Sequence, residues 1–198
     1  IETCATCSLC SSACPVNIDT GSLTKHLRAE QASESSKSIA NFVANNFSST
    51  LKGIRVGLHS ANFIHKVLGT ASMETFTQTF RDLSKNTLPK WTETMPKGTN
   101  IDMYFEQKVS DKKVVYFPSC ITRSMGLNSI SKEEKQLFTV TVELLQKAGY
   151  QILFPHNLSD LCCGMPFSSK GFKEAAQTKS SQLEEELLNI SEFGEYPI

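Results

Sequence analysis

Apolar residues recur at helical spacing through the first part of the chain. One set contains Ile39, Phe42 and Val43, and similar sets follow as far as residue 88. Spacings of three and four residues place apolar side chains on one face of a helix. The pattern therefore predicts helices over residues 20–88. A polar, serine-rich stretch at residues 33–38 predicts a turn between two of them.

The hydrophobic pattern changes in the second half of the chain. Two short apolar runs, residues 114–117 and 151–154, each end at a proline, which is typical of buried strands. Between them, apolar residues at helical spacing predict a helix over residues 131–148. Ser131 and Glu134 have the spacing of a capping box, so we expect the helix to begin there.

Strands and helices alternate in this half, because a further helix is predicted over residues 171–190. Such alternation is typical of an α/β fold with a parallel sheet. We therefore predict two domains, a helical one over residues 1–90 and a small parallel-sheet α/β domain over residues 113–198. The proline- and glycine-containing residues 91–112 are predicted to link them.

Composition excludes some functions and leaves others open. The chain has 198 residues, with 20 basic and 20 acidic side chains and a formal net charge of +0. A nucleic-acid binder usually carries a basic excess, so we predict no nucleic-acid partner. Apolar residues make up 39% of the chain, enough for a core. Trp91 and Phe105 are expected to anchor the linker to neighbouring structure.

The cysteines carry most of the chemical information. Four of the seven lie within fourteen residues and follow the pattern C-x2-C-x2-C-x3-C-P. Two-residue gaps let the thiolates of Cys4, Cys7 and Cys10 curl around one face of an iron–sulfur cluster, and the longer gap carries Cys14 away. Zinc is the competing metal, but it usually takes two separated cysteine pairs. We therefore predict 4Fe–4S ligands at all four positions.

A two-cluster module needs a second motif of this kind, which the sequence does not contain. In two-cluster ferredoxins the fourth cysteine of each motif binds the other cluster. We therefore expect the Cys4, Cys7 and Cys10 cluster to take its fourth ligand from another motif and Cys14 to serve the second cluster. We interpret the chain as part of a larger polypeptide.

A second group of cysteines follows the two predicted strands. Cys120 comes after the first strand, and Cys162 and Cys163 come after the second. Parallel strands present their carboxyl ends at one edge of a sheet, where α/β proteins build sites. We predict that these three thiols converge on a metal, either zinc or a cluster. The alternative is that they are buried thiols that pack as small apolar residues. Arg123 and Lys170, near the two groups, are expected to be solvated surface charges.

The two groups of cysteines, in this order, resemble a known family. Residues 3–15, 17–21, 116–120 and 161–164 resemble the C-terminal iron–sulfur and cysteine-rich (CCG) region of bacterial FAD-linked D-lactate dehydrogenases. The chain is similar, more distantly, to the iron–sulfur subunit of glycolate oxidase and to heterodisulfide reductase. It departs from the CCG pattern because the closing Cys-x-x-Cys is absent.

This resemblance implies a helical ferredoxin-like part followed by the cysteine-rich domain. It also implies electron transfer from a hydroxy acid through FAD and 4Fe–4S clusters to a membrane quinone or cytochrome. FAD would lie outside the chain, in a flavin domain of the same polypeptide or complex, so this chain would be part of an enzyme without being catalytic itself. The implied location is cytoplasmic and peripheral at the inner face of the membrane. Two alternatives stay open: a heterodisulfide or thiol–disulfide reductase, and a structural metal-binding domain.

Overall fold

The computed structural model describes residues 3–84, 91–101, 109–128 and 130–198. These residues form a mixed, mostly helical α/β structure with two small sheets. The helices are α1 (Leu9–Ala13), α2 (Thr20–Gln31), α3 (Glu34–Asn45), α4 (Phe47–Leu68), α5 (Thr70–Leu83), α6 (Cys120–Ser124), α7 (Leu137–Lys147), α8 (Met165–Ser168) and α9 (Lys173–Ile190). The strands are β1 (Pro96–Gly98), β2 (Lys113–Val115), β3 (Met125–Asn128) and β4 (Gln151–Leu153).

The chain divides into two compact units. One contains Ile1–Ser48 and Pro155–Tyr196, and the other contains Ser49–Phe154 and Pro197–Ile198. This division by contacts brings the N-terminal cysteines and the Cys162–Cys163 pair into the same unit, whereas Cys120 belongs to the other. The boundaries predicted at residues 90 and 113 do not coincide with it and stay a prediction.

The first unit is helical, and its core lies where α3 packs against α9. Small side chains on facing helix surfaces allow this close packing, because Ala44 and Ala175 are each only 1% exposed. Aromatic rings fill the space beside them, with Phe47 and Phe167 in contact at a centroid distance of 6.4 Å. The packing thus joins segments from the two ends of the chain.

The second unit contains both sheets. β2 pairs with β4 in parallel, with Lys113 opposite Gln151 and Val115 opposite Leu153. α7 packs on β4, and Phe138, Val142 and Ile152 form the core between them. The first sheet, an antiparallel pair of β1 and β3, was missed by the sequence analysis because each strand is too short for a visible alternation.

Two predicted local features are wrong. Residues 33–38 are not a turn: Ser33 caps α3, its hydroxyl accepting from the main-chain N–H of Ser36, and the remaining serines lie within the helix. The helix predicted from residue 131 begins only at Leu137. Its expected capping box does not form, because the hydroxyl of Ser131 accepts instead from the N–H of Glu133.

Other expectations agree with the structure or lie outside it. The predicted helix at residues 171–190 is α9, which begins two residues later than expected. Trp91 is buried at 4% exposure, as an anchor should be. Phe105 lies outside the described residues. Within the described part of the chain, no helix is both long and apolar enough to cross a membrane.

Candidate metal centre

The N-terminal cysteine loop is shaped by residues in the left-handed backbone region. Thr6 has φ 54° and Ser8 has φ 61°, values that L-residues adopt at a cost of about 1–2 kcal/mol. Thr6 lies between Cys4 and Cys7, and Ser8 lies between Cys7 and Cys10. Each therefore places a left-handed backbone conformation between two cysteines. The short helix α1 follows directly and contains Cys10.

The first turn of α2 supports this loop. Asp19 caps the helix by accepting from the N–H of Ser22 at 3.0 Å. The hydroxyl of Thr20 then lies 2.8 Å from the Cys10 thiol. At Gly21 an added Cβ would lie 3.1 Å from the main-chain nitrogen of Ser8, so glycine permits a close approach of the loop to the helix.

Hydrogen-bond donors surround two of the four thiols. The N–H of Thr6 donates to the Cys4 sulfur at 3.4 Å, and this bond lowers the pKa of Cys4, with a smaller contribution from the Thr24 hydroxyl. The pKa of Cys10 is also lowered, by the Thr20 hydroxyl first and then by the N–H of Gly21. Both thiols are thus biased toward the thiolate, the form that binds metals.

The loop also contains a buried polar atom without a partner. Thr6 is 2% exposed, and its hydroxyl oxygen has no hydrogen-bond partner. Buried polar groups are normally hydrogen-bonded. The same residue that donates its main-chain N–H to the Cys4 sulfur thus buries a hydroxyl without a partner.

Thiols are the side chains that ligate iron–sulfur clusters, but these thiols are not arranged as a complete set of metal ligands. All seven cysteines are free. In the described part of the chain, no group of three or more His, Cys, Asp or Glu side chains is arranged to hold a metal ion. Cys7 and Cys10 are exposed, whereas Cys4 and Cys14 are half-buried. The structure therefore brings donors to Cys4 and Cys10 and leaves Cys7 and Cys14 outside this hydrogen-bonded arrangement.

The three later cysteines occupy different environments. Cys120 is the first residue of α6, directly after the capping residue Ser119. Cys162 is 1% exposed, whereas its neighbour Cys163 is exposed. Cys162 thus packs within the first unit as a small apolar residue would. The predicted convergence of Cys120 with the Cys162–Cys163 pair stays a prediction.

The segment that carries Cys162 and Cys163 is held by α9. Gly164 has φ +78°, and an added Cβ would lie 2.5 Å from the carbonyl oxygen of Ala176. Lys179, only 2% exposed, donates to the carbonyl of Asp160 at 3.0 Å. Its burial lowers the pKa of Lys179, and the charge of Asp160 opposes this effect. Together these contacts fix the main chain on both sides of the cysteine pair.

One of the two charged residues that were predicted to be solvated is buried instead. Arg123 was expected to be a solvated charge, but it is 1% exposed, and its Nε donates to the carbonyl of Pro118 at 3.1 Å. Lys170 is exposed, as predicted. Arg28, which the sequence analysis did not single out, contacts the cysteine loop. No motif would have found it, because its partners are main-chain carbonyls.

No protein-family model, curated protein or solved structure matches this chain.

Proposed function

We propose that this chain transfers electrons as part of an FAD-linked 2-hydroxy-acid dehydrogenase of the D-lactate type. In this proposal Cys4, Cys7 and Cys10 are thiolate ligands of one 4Fe–4S cluster, and Cys14 is a ligand of a second. A 4Fe–4S cluster supplies a one-electron carrier. FAD would lie in a flavin domain outside this chain, and a membrane quinone or cytochrome would be the final acceptor.

The observation that carries the proposal is the set of donors at Cys4 and Cys10. The Cys4 sulfur accepts from the main-chain N–H of Thr6, and the Cys10 sulfur is hydrogen-bonded to the Thr20 hydroxyl at 2.8 Å. Hydrogen bonds to thiolate sulfur stabilise the charged ligand and adjust the reduction potential of iron–sulfur sites. The motif spacing points to four cysteines, and the donors support two of them, Cys4 and Cys10. The ferredoxin-like character of residues 1–90 belongs to the same proposal.

We propose a second metal site, for zinc or a cluster, at Cys120, Cys162 and Cys163. The support is the sequence order of these cysteines, Cys120 followed by the Cys162–Cys163 pair. Further ligands would be required, because structural zinc takes four. This site is the basis for assigning residues 113–198 to a cysteine-rich CCG domain.

Peripheral association with the inner face of the membrane is part of the proposal. On α4 the exposed side chains of Val56, Phe63 and Val67, each about two-thirds exposed, follow one stripe of the helix at spacings of seven and four. The helix carries three Lys or Arg side chains and no Asp or Glu. A helix with an exposed apolar stripe and only basic charges complements an anionic lipid surface.

The deciding experiment uses the full-length protein purified without oxygen. We expect an EPR signal on chemical reduction, and reduction of the same centres after a D-2-hydroxy acid reduces the flavin. Cys7→Ser should remove one cluster, about four iron atoms per chain. Ser12→Ala, an exposed change in the adjoining helix α1, is the control and should retain all iron.

Other outcomes separate the alternatives. Unchanged iron and EPR signal in Cys7→Ser would contradict the ligand assignment. Bound zinc without any EPR signal would favour a structural metal-binding domain. Turnover of a disulfide substrate that depends on Cys163, without hydroxy-acid oxidation, would favour a thiol–disulfide or heterodisulfide reductase.

A further inference from the structure

A polar cavity of about 390 Å³, which we call the α9 cavity, lies in the first unit between α9 and the turn at residues 156–160. Small-molecule sites in proteins are about 300–1,000 Å³ in volume, so this cavity is large enough for one small ligand. Leu161 is the one apolar side chain among the described residues that line it. An apolar ligand would therefore bury little apolar surface there, and the wall instead suits a ligand that forms hydrogen bonds.

Hydrogen bonds between α9 and the turn hold the wall of the α9 cavity in place. Lys179, which is 2% exposed, donates to the carbonyl of Asp160 at 3.0 Å and to the side-chain oxygen of Gln182 at 2.9 Å. The carboxylate of Glu186 accepts from the main-chain N–H of His156 at 2.6 Å. Because each side of the cavity is bonded to the other, the wall is formed before any ligand binds.

Other polar side chains in the wall are unused by the protein. Four of them make no hydrogen bond or ion pair to the described residues of the chain: Asn45, Asn157, Glu185 and Asn189. An amide group offers both donors and an acceptor, and a carboxylate offers acceptors. A hydroxyl group donates and accepts as well, so it can pair with either kind of side chain. The unused groups therefore match a ligand that carries several hydroxyls.

The charges around the α9 cavity favour a neutral ligand. The buried ammonium of Lys179 lines the cavity, and so do the carboxylates of Glu185 and Glu186. A cationic ligand would lie near the fixed ammonium, and an anionic ligand would lie near the carboxylates. Like charges brought together in this way oppose binding. A neutral molecule avoids both penalties and still offers hydrogen-bond partners to the amides.

We infer that the α9 cavity binds a neutral, polyhydroxylated small molecule, a monosaccharide or a sugar alcohol, whose hydroxyls pair with Asn157, Glu185 and Asn189. Lys179 and Glu186 hold the wall that presents these groups. The inference goes beyond the proposed function and does not depend on it, because it uses none of the cysteines and no cofactor. It gives the first unit a ligand site of its own.

Saturation-transfer-difference NMR of the intact chain with glucose, galactose, mannose and sorbitol tests whether such a site exists. We expect a signal from at least one of these compounds. In a nitrogen–proton correlation spectrum, the side-chain amide resonances of Asn157 and Asn189 should shift as that compound is added. No signal from any of the four, or shifts confined to residues outside the cavity wall, would overturn the inference.

A double variant, Glu185→Ala with Asn189→Ala, removes two of the proposed partners from exposed positions of α9. We expect it to weaken binding of the same compound about tenfold or more, because two hydrogen bonds are lost. Gln177→Ala with Glu184→Ala is the matched control, since it removes an amide and a carboxylate from exposed positions of the same helix outside the cavity wall. The control should bind as the wild type does.

Equal affinities in the double variant and its control would overturn the assigned partners. Alanine favours a helix, so both variants should fold, which circular dichroism and thermal unfolding check. If either does not, the amide shifts in the wild-type chain decide the location of the site.

Charged analogues of glucose test the expected neutrality of the ligand. Glucosamine carries an ammonium group and glucuronate carries a carboxylate, and both should bind more weakly than the neutral compound. Glucosamine that binds more tightly, with an affinity that falls as salt is added, would overturn the neutral ligand class and indicate a site for cations.

Discussion

The carboxylate of Asp19 accepts a hydrogen bond from the main-chain N–H of Ser22 at 3.0 Å and so caps the helix whose first turn contacts Cys10. This bond, followed by one from the Ser8 hydroxyl, lowers the pKa of Asp19 below its ordinary value of 3.8. Ser8 belongs to the cysteine loop, so Asp19 links that loop to α2. A single carboxylate therefore stabilises the helix start and the loop together.

Replacing Asp19 by alanine should lower the melting temperature by about 2–4 °C at neutral pH, because a helix N-cap is lost. A carboxylate with a lowered folded pKa stabilises the protein above its unfolded pKa and loses that contribution as pH falls through the folded value. The difference from the wild type should therefore shrink below about pH 4. Thermal unfolding between pH 3 and 7 measures it.

Asp19→Asn is the matched control for this prediction. It retains an oxygen that accepts from Ser22 and removes only the charge, so its melting temperature should depend less on pH than that of the wild type. An effect of Asp19→Ala that stays constant from pH 7 to pH 3 would show that the charge contributes nothing.

Gly171→Ala should strongly destabilise the first unit. The new methyl group would meet the backbone of α2 at 2.5 Å, in addition to the cost of a positive φ. Overpacking costs about 1–3 kcal/mol and the left-handed conformation about 1–2 kcal/mol more. Urea unfolding should therefore give a loss of about 2–5 kcal/mol.

Gly194→Ala separates the two costs of that substitution. Gly194 also has a positive φ, of 93°, but nothing lies within 4 Å of an added Cβ. We expect only the conformational cost of about 1–2 kcal/mol there. Equal losses in the two variants would contradict the close approach of residue 171 to α2.

The adjacent thiols Cys162 and Cys163 should react at very different rates in the apo-protein. Cys163 is exposed, whereas Cys162 is 1% exposed. A thiol-specific alkylating reagent, followed by mass spectrometry, should modify Cys163 quickly and Cys162 only after unfolding. Equal labelling rates in the folded protein would refute the burial of Cys162.

Lys179→Ala should weaken the protection of Cys162. Lys179 holds the carbonyl of Asp160, two residues before Cys162, and its removal leaves a cavity and an unpaired carbonyl. We expect a loss of about 2–4 kcal/mol and faster alkylation of Cys162. Lys173→Ala, an exposed change on the same helix, should alter neither quantity.

The exposed apolar stripe of α4, formed by Val56, Phe63 and Val67, should mediate binding to anionic vesicles. We expect the protein to sediment with vesicles of phosphatidylglycerol and not with those of phosphatidylcholine, because the helix carries only basic charges. Phe63→Asp should reduce binding about tenfold or more, since it removes an exposed ring and adds a negative charge. Phe193→Asp is the control, because Phe193 is 82% exposed but lies outside α4. Equal effects of the two substitutions would contradict this assignment.

The sequence by itself determined the elements with a strong periodic signal and the cysteine motifs. Residues 114–117 and 151–154 were predicted as neighbouring parallel strands, and β2 and β4 do pair in parallel. Both strands are short and apolar and flank a helix, so local pattern and chain connectivity sufficed. Helix starts were less predictable: Ser131 has cap chemistry, yet α7 begins at Leu137, where the side chains that pack on β4 begin.

Only the tertiary structure decided which cysteines share a compact unit and what supports them. The N-terminal motif and the Cys162–Cys163 pair are separated by more than a hundred residues, yet both belong to the first unit. The contacts that build this unit run through main-chain carbonyls and glycine backbones, as at Arg28 and Gly171. Every residue except proline carries the same main-chain N–H and carbonyl groups, so such contacts leave no residue pattern in the sequence, and packing selects them.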